Sequence, residues 1–349
     1  MKVLHLISGL RSGGAEHIVF ELSKRAKQEF GQTTTAVLSG HDEIAWKFQN
    51  AGLAVYQPFP GRYSLFFKIS SVVKCIRYCV SLRPDIIHAH MFHAGIAAVL
   101  IKLRLPDSRI VFSLHNCIQP GIVKRLLLWG TSPMRTVDLL FPGHEPKWYN
   151  KKLTATVANG IEIKEKPKHV EKNTVFTFLF VGRLEQQKNP LFMVDFALQL
   201  KSHARFKIIM VGRGKLLGEL KMRIRRHHLA DCFELIPFSD KVNELLYRSH
   251  VVVVPSLWEG MPLIVLEAGA AGLPVLITPQ GNSCGIGTQE NSFVAGLHEM
   301  SGKAMDIMRD YPNALLKARQ LQHVVRTSFT IDHCFAANYK VYTSHLYKS

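Results

Sequence analysis

Long apolar runs are absent from this sequence. Charged side chains such as Lys102, Arg104 and Glu267 interrupt the apolar segments well before the roughly 18 residues that a membrane-spanning helix requires. The opening MKVLHLIS contains one lysine and an apolar run, but it includes His5 and has no small-residue cleavage site. The sequence therefore predicts a globular protein that opens on a strand, not on a signal peptide.

Cysteine is scarce and unpatterned. None of the six cysteines forms a CxxC or Cys/His spacing typical of a metal site. Scattered thiols of this kind are typical of reduced, intracellular proteins, so we expect a cytoplasmic location. The cysteines are Cys75, Cys79, Cys117, Cys232, Cys284 and Cys334.

Acidic residues are few relative to basic ones. The chain has 44 Lys and Arg against 26 Asp and Glu, and residues 1–164 alone have 21 against 10. A basic surface of this kind predicts an anionic partner. No nucleic-acid motif is present and the aromatic residues do not alternate with a basic strand face. We therefore expect no nucleic-acid partner and favour membrane phosphates or a polyphosphate lipid.

The residues that are present indicate an α/β protein of two domains. The 349 residues are 47% hydrophobic, which is enough to bury more than one core. The most informative stretch is VVVVPSLWEGMPLIVLEAGAAGLPVLIT. Its first four residues, 251–254, predict a buried parallel strand. Pro262 suits the first position of the following helix, and Gly272 and Pro274 end that helix before a second strand.

Two glutamates of this stretch are candidates for a ligand site. Glu259 lies in the loop after the strand and Glu267 on the helix, and open α/β sheets bind ligands outside the carboxyl ends of their strands. The backbone N–H groups of Gly260, Met261 and Leu263 at the helix amino terminus favour a phosphate. Two carboxylates beside a diphosphate would accept hydrogen bonds from sugar hydroxyls, which indicates a nucleotide sugar. The alternative is that both glutamates are solvated surface residues.

The segment PSLWEGMPLIVLEAGAAGLPVL resembles the E-x7-E motif of the retaining GT-B glycosyltransferases of family 4. The resemblance implies that Glu267 binds the donor ribose and Glu259 the donor sugar. The turn 260–263, with Pro262, would also contact the donor. The implied fold is α/β, with two Rossmann-like doubly wound domains that face a central cleft.

The resemblance extends over nearly the whole chain and implies its domain organisation. Residues 1–164 would form an acceptor-binding domain, completed by a carboxyl-terminal helix at about 332–349. The polar segment 165–174 would be a linker, and residues 175–331 would bind the nucleotide sugar.

In the first domain, a strand at residues 3–7 leads into the turn GLRSGGAE and then a helix. Gly13 and Gly14 allow close approach of a ligand to the backbone, although a tight structural turn is an equal alternative. The turn resembles the GGAE loop of family 4. A second strand, 110–114, delivers His115 and Asn116 to its carboxyl end, and the resemblance implies that His115 contacts the donor sugar or the acceptor.

In the second domain, the loop GRLEQQKNP follows a strand at 176–181. Arg183 and Lys188 would place two cations against a diphosphate, with Gly182 giving backbone clearance. An ordinary basic loop is the alternative. The resemblance implies that both cations hold the donor diphosphate, so neither a metal ion nor another cofactor is expected.

Two further features leave alternatives open. The cluster His88, His90 and His93 could suggest a metal, but packed strand residues are favoured. The basic amphipathic segment 62–83 favours a core-facing helix with a solvated basic face, whereas the sharper interpretation places it against an anionic membrane. The residues that fit its apolar face are Phe66, Ile69, Val72, Val73, Ile76 and Val80. The basic, apolar segment 121–135 would lie on the acceptor side.

The predicted function is transfer of a hexosyl group, with retention, from a UDP- or GDP-sugar to a glycan or lipid-linked acceptor. We expect a role in bacterial cell-surface polysaccharide biosynthesis, such as lipopolysaccharide or capsule, peripheral to the inner face of the cell membrane. A GT-B UDP-sugar epimerase and a non-catalytic nucleotide-sugar scaffold are the alternatives. One region departs from the family: PQGNSCGIGTQEN replaces a GGxxE turn, and Glu290 is not favoured as a substitute.

Overall fold

The computed structural model describes residues 1–115, 121–143 and 154–344. Asn116 and Cys117 lie outside these residues, as does the end of the predicted last helix. The chain folds as two compact units, the first formed by Met1–Gly160 with Ile331–Ser349 and the second by Ile161–Thr330. No helix or strand occurs between residues 162 and 175, which include the predicted linker.

The first unit is a seven-stranded parallel sheet of order β3-β2-β1-β4-β5-β6-β7 with helices on its faces. Its strands are β1 Lys2–Ile7, β2 Gln32–Val37, β3 Ala54–Tyr56, β4 Ile86–His90, β5 Arg109–Ser113, β6 Val137–Leu140 and β7 Thr154–Thr156. Its first helices are α1 Gly14–Phe30, α2 Ala45–Asn50, α3 Leu65–Leu82, α4 Phe92–Lys102 and α5 Ile122–Gly130.

The second unit is a six-stranded parallel sheet of order β10-β9-β8-β11-β12-β13. Its strands are β8 Phe176–Val181, β9 Phe206–Val211, β10 Phe233–Ile236, β11 Val251–Val254, β12 Val275–Ile277 and β13 Phe293–Val294. Its helices are α6 Phe192–Lys201, α7 Leu217–Arg226, α8 Val242–Arg248, α9 Leu263–Ala270, α10 Met300–Arg309 and α11 Tyr311–Ser328. A phenylalanine-rich core lies under this sheet.

Both sheets run outward in two directions from a central pair of strands, β1 and β4 in the first unit and β8 and β11 in the second. The central strands are almost entirely buried because helices cover both faces, which explains their continuous apolar runs. The predicted doubly wound α/β architecture is therefore confirmed. In such sheets the strand order reverses between the central strands, and the carboxyl ends there form the usual ligand site.

The last helix, α12 Ile331–Thr343, belongs to the first unit. Its Tyr342 is fully buried and its hydroxyl lies 2.6 Å from Nδ1 of His88. Asp332 accepts a 2.8 Å hydrogen bond from Arg25, and Tyr339 stacks on Phe30. These contacts join the end of the chain to α1 and β4.

Helix α3 buries only part of the apolar face that its periodicity predicts. Val72, Ile76 and Val80 are partly buried against the core, whereas Phe66, with 72% of its surface exposed, Ile69 and Val73 point to solvent. Cys75 and Cys79 are fully buried. Small side chains spaced by one helical turn allow the helix to lie close to its neighbours. The expected burial is therefore right for Val72, Ile76 and Val80 and wrong for Phe66, Ile69 and Val73.

Other local differences are smaller. Pro262 is the residue before α9, with extended backbone angles, and not its first helical residue. Helices α4, α8, α10 and α11 were not predicted from the sequence.

Candidate functional site

Charged residues of the second unit converge after its two central strands. Arg183 follows β8, and Lys188 ends a single 3-10 turn in the same loop. Glu259 lies in the loop between β11 and α9. Because β8 and β11 are hydrogen-bonded neighbours, their carboxyl ends bring the two loops together.

Lys188 and Glu259 form an ion pair across these loops, with 2.6 Å between Nζ and Oε1. The hydroxyl of Ser256 donates to the same carboxylate oxygen at 2.7 Å. Glu259 is only 5% exposed, so the interpretation that it is a solvated loop residue is wrong. A carboxylate that is buried to this degree is stable only with a cation and hydrogen-bond donors around it.

Gly182 makes room for the stem of Lys188. A Cβ atom at this position would lie 3.3 Å from Cγ and Cδ of the lysine, closer than side chains normally pack. The space predicted at Gly182 is therefore occupied by the side chain of Lys188.

Gln187 connects Arg183 to this ion pair. Arg183 donates to Oε1 of Gln187 at 2.9 Å and to Glu185 at 3.1 Å. The amide nitrogen of Gln187 donates in turn to the carbonyl of Trp258 at 3.2 Å and to Oε2 of Glu259 at 3.4 Å. Gln187 was not predicted from the sequence, although it lies between the two predicted cations. With 40% of its side chain exposed, Arg183 remains accessible to a ligand.

The amino terminus of α9 lies directly after Glu259. Gly260, Met261 and Pro262 are buried, and Leu263 is the first helical residue. Glu267 is half-buried on the same helix. The arrangement leaves the first backbone N–H groups of α9 beside the ion pair, as an anion site would require.

The segment that departs from the family pattern packs against this loop. The hydroxyl of Ser283 donates to the carbonyl of Glu259 at 2.8 Å, and Thr278 donates to the carbonyl of Ser256 at 2.6 Å. Glu290 is exposed at the surface. Ser283 of this segment and Thr278, the residue just before it, therefore support the loop around Glu259 through their hydroxyl groups.

In the first unit, His115 lies at the end of a row of buried imidazoles. Its Nε2 is 2.9 Å from Nδ1 of His90, and Nε2 of His90 is 3.2 Å from Nδ1 of His5. The row crosses the carboxyl-end region of β1, β4 and β5, which are adjacent strands. Burial lowers the pKa of His115 to about 4 and that of His5 to about 3, so the rings are neutral at pH 7.

His88 lies beside this row with different partners. Its two ring nitrogens contact the hydroxyl groups of Ser113 at 2.8 Å and Tyr342 at 2.6 Å. His93 is on α4 and makes no hydrogen bond to the row among the described residues. One ring nitrogen from each of His5, His88 and His90 lies within 4.8 Å of the others. The third member of the histidine cluster is therefore His5, and not His93 as the sequence pattern suggested.

The glycine turn of the first unit lies at the start of α1. Gly13 precedes α1, and a Cβ atom there would meet the carboxylate of Glu16, which is the flexible end of that side chain. Gly14 is the first residue of α1 and is exposed. The contact with Glu16 does not by itself require glycine at position 13, and a ligand contact at this turn stays a prediction.

Two family profiles match the chain. The one described as "Glycosyl transferases group 1" matches residues 162–325, and "Glycosyltransferase Family 4" matches residues 3–141. Together they span most of both units.

Individual proteins show the same similarity. A UDP-Gal:alpha-D-GlcNAc-diphosphoundecaprenol alpha-1,3-galactosyltransferase of Escherichia coli is 33% identical over 151 residues, which is 42% of this chain and 39% of that enzyme. The amylovoran biosynthesis glycosyltransferase AmsD of Erwinia amylovora is 25% identical over 79% of this chain and 80% of its own length. Anabaena Alr3699/HepE, solved with UDP and glucose, has a TM-score of 0.85 at 17% identity, covering 99% of this chain and all of that one.

Proposed function

Since the chain belongs to the family 4 glycosyltransferases of GT-B fold, we propose that it transfers a hexosyl group from a UDP- or GDP-sugar to a hydroxyl of a glycan or lipid-linked acceptor. Its place is in bacterial polysaccharide, capsule or O-antigen biosynthesis, as for its relatives. The observation that carries the proposal is the Lys188–Glu259 pair, which Gln187 connects to Arg183 after the central strands of the second unit.

The two cations are the groups that bind the donor diphosphate. Lys188 has three donors and uses one for Glu259, so it can also donate to a phosphate oxygen. Arg183 can present its fork of N–H groups to the diphosphate after exchanging a hydrogen bond to Glu185. Together they stabilise the charge that develops on the leaving nucleoside diphosphate, and we expect neither a metal ion nor a cofactor in this step.

The glutamates are assigned to hydroxyl groups of the donor. Glu267, half-buried on α9, binds the ribose, and Glu259 binds the transferred sugar. Because Lys188 and Ser256 hold one of its oxygens, Glu259 is assigned to binding through the other, and not to a hydrolase pair of carboxylates. Transfer with retention breaks the bond between C1 and the phosphate oxygen and forms the new bond on the same face. The acceptor proton passes to the departing phosphate.

Similar proteins indicate which donor to test first. The galactosyltransferase relative uses UDP-Gal, and the Anabaena structure holds UDP and glucose. These names support a UDP-hexose as donor, with a GDP-sugar as the second choice.

An exposed apolar surface of the first unit supports a lipid-linked acceptor. Helices α3 and α5 both pack against α4, and both carry large apolar side chains on their solvent side. Basic residues, including Lys68, Lys74 and Lys124, lie exposed on the same helices. We call this surface the α3/α5 surface; its exposed apolar residues are Leu65, Phe66, Ile69, Val73, Ile122, Val123, Leu126, Leu127 and Trp129.

Such a surface fits peripheral association with an anionic membrane, where apolar side chains enter the interface and lysines meet lipid phosphates. Among the described residues, no helix combines the length and apolarity needed to cross a bilayer. We therefore propose that the enzyme reaches its acceptor from the membrane surface.

The direct test incubates the full chain with separate UDP- and GDP-hexoses and with undecaprenyl-diphosphate acceptors that end in one sugar. We expect a mass gain of one hexose on the acceptor, and NMR coupling should show the anomeric configuration of the donor. Lys188→Met should abolish most transfer, whereas Lys201→Met, which changes a lysine of α6 that donates to the carbonyl of His228, should not. Isomerised UDP-sugar without acceptor would support the epimerase, and nucleotide binding without any turnover would support the scaffold.

A further inference from the structure

The row His5–His90–His115 has one free nitrogen at each end. Among the described residues, Nδ1 of His115 makes no hydrogen bond, and Nε2 of His5 is buried without a partner. His5 and His90 have essentially no exposed surface. The two internal contacts use all the remaining ring nitrogens of the row.

Burial keeps these rings neutral, since it lowers the pKa of His90 well below its ordinary value as it does those of His5 and His115. A neutral imidazole has one N–H donor and one lone pair. Three neutral rings joined by two hydrogen bonds therefore have only two proton arrangements. In one arrangement each shared N–H points toward the His5 end of the row, and in the other each points toward the His115 end.

The buried end at His5 distinguishes the two arrangements. With protons toward His5, its Nε2 would carry a buried N–H without an acceptor, which is rare in folded proteins. With protons toward His115, the same atom carries only a lone pair, which neighbouring C–H groups can partly satisfy. The second arrangement places N–H groups on Nδ1 of all three rings.

We propose that His90 and His5 are positioning residues that hold His115 in its Nδ1–H tautomer, so that His115 offers a neutral N–H donor to an oxygen of the substrate. The proposal rests on the proposed function for the placement of His115 at the reacting groups. In this state His115 cannot accept a proton at its free nitrogen, so it acts as a hydrogen-bond donor to a sugar hydroxyl or phosphate oxygen, and not as a general base.

The backbone of His115 agrees with a positioned side chain. Its φ of 57° lies in the left-handed region, which side-chain-bearing residues rarely adopt. Such a conformation persists only where the surroundings determine it, and the 2.9 Å contact with His90 and the ring contact with Phe141 both hold the imidazole of His115.

A metal ion is the competing occupant of the cluster. The nitrogens of His5, His88 and His90 are close enough to share one ion. However, both nitrogens of His88 and of His90 already meet hydrogen-bonding side chains, and a metal would displace Ser113, Tyr342 or His115 from them. The observed contacts therefore favour a hydrogen-bonded row.

The first test needs no substitution. Long-range proton–nitrogen NMR on the full chain with nitrogen-labelled histidine reads the tautomer of each ring, assigned by single substitutions. We expect Nδ1–H for His5, His90 and His115, unchanged between pH 5 and 8. An Nε2–H or mixed signal for His115, or stoichiometric zinc by mass spectrometry of the purified protein, would overturn the proposal.

The second test compares two variants of one position. His90→Phe removes the donor to His115, so kcat should fall by about tenfold to a hundredfold while UDP affinity stays unchanged, and the His115 signal should become mixed. His90→Gln retains an N–H that can reach His115 and should recover much of the rate. His93→Gln, outside the row, is the matched control and should leave the tautomer of His115 unchanged.

The outcomes separate the inference from the proposed function. Equal loss in both His90 variants with an unchanged His115 tautomer would show a merely structural role and refute the proposal. If His90→Phe does not fold, the wild-type spectrum and His90→Gln still decide. If the spectrum is as expected but no sugar is transferred, the proposed function fails while the tautomer assignment stands.

Discussion

The central strands of the two units follow the same order, but the side chains after these strands differ: imidazoles in the first unit and charged groups in the second. In the first unit, neutral imidazoles are joined edge to edge at the ends of β1, β4 and β5. In the second, an ion pair and an arginine occupy the loops after β8 and β11. The fold thus determines where a site lies, and the side chains that follow each strand determine what it can bind.

The two units also differ in the apolar side chains that they expose. Most large apolar side chains that are exposed belong to the first unit, and Trp129, with 62% of its surface exposed, is among them. The second unit exposes only scattered ones, such as Leu198 and Met222, among the described residues. This contrast fits an acceptor in a lipid layer for the first unit and a charged, water-soluble donor for the second.

Low pH should produce the largest difference in stability between the two units. His5, His88, His90 and His115 have lowered pKa values in the fold, so below pH 6.5 the unfolded chain takes up protons that the folded first unit does not. Stability is then complete above pH 6.5 and falls as the pH drops toward 4. The loss approaches about 1.4 kcal/mol per pH unit for each histidine.

The second unit is the internal control for this prediction. Burial lowers the pKa of its His250 to about 4, and it has no comparable cluster among the described residues. Hydrogen exchange by mass spectrometry between pH 7 and 4.5 should show the first unit opening at higher pH. Equal acid sensitivity of both units would remove the contrast between them.

A buried ion pair also holds the first unit together. Arg135 and Asp138 are each almost fully buried, and Arg135 donates to both carboxylate oxygens at 3.0 to 3.3 Å. Asp138→Asn would remove the carboxylate charge beside this buried guanidinium, so the free energy of unfolding should fall by about 3–5 kcal/mol. Glu219→Gln, which removes the half-exposed pair with Arg223 in the second unit, should cost about 1 kcal/mol or less. Urea titration would measure both, and similar losses would contradict the assignment of Asp138.

The pair in the second unit should respond differently. Glu259→Gln keeps the shape of the side chain but removes the charge beside Lys188. Because Lys188 has 17% of its side chain exposed and can still be hydrated, stability should fall less than in Asp138→Asn, while kcat falls by about 10²-fold or more. Affinity for UDP should remain nearly intact, because Glu259 is assigned to the transferred sugar. Glu267→Gln should chiefly weaken UDP binding, as measured by calorimetry.

These two variants serve as controls for each other. Loss of UDP binding in Glu259→Gln with normal turnover would reverse the assignments. Wild-type behaviour of both would disprove the E-x7-E interpretation.

Local patterns were sufficient for much of the second unit. Arg183, Lys188 and Glu259 each follow an apolar strand within a few residues, and parallel strands place such loops at one edge. Gln187 was missed because nothing in the sequence shows which of two adjacent glutamines points across to Glu259. Its hydrogen bond joins residues 72 positions apart.

The first unit was harder to predict because its contacts depend on strand order. His5 and His90 are 85 positions apart and meet only because β1 lies beside β4. In α3, Val72, Ile76 and Val80 of the predicted apolar face pack against the core, but Phe66 does not, and the small Cys75 and Cys79 are buried instead. A helical period reveals that one face is buried, but packing space decides which one.

The smallest expected effect concerns the α3/α5 surface. Basic residues near an anionic bilayer contribute about 1 kcal/mol each, and added salt screens that attraction. Vesicles with phosphatidylglycerol should therefore bind the full chain more strongly than neutral vesicles, and less so as salt rises. Lys124→Gln should weaken binding slightly and Trp129→Ser further, since the large indole is exposed on the same helix. Lys221→Gln on α7 of the second unit changes the net charge by the same amount and should have no effect.

Equal losses at Lys124 and Lys221 would mean that net charge alone drives binding. Binding that does not depend on salt or on lipid charge would contradict a membrane-bound acceptor and favour one in solution.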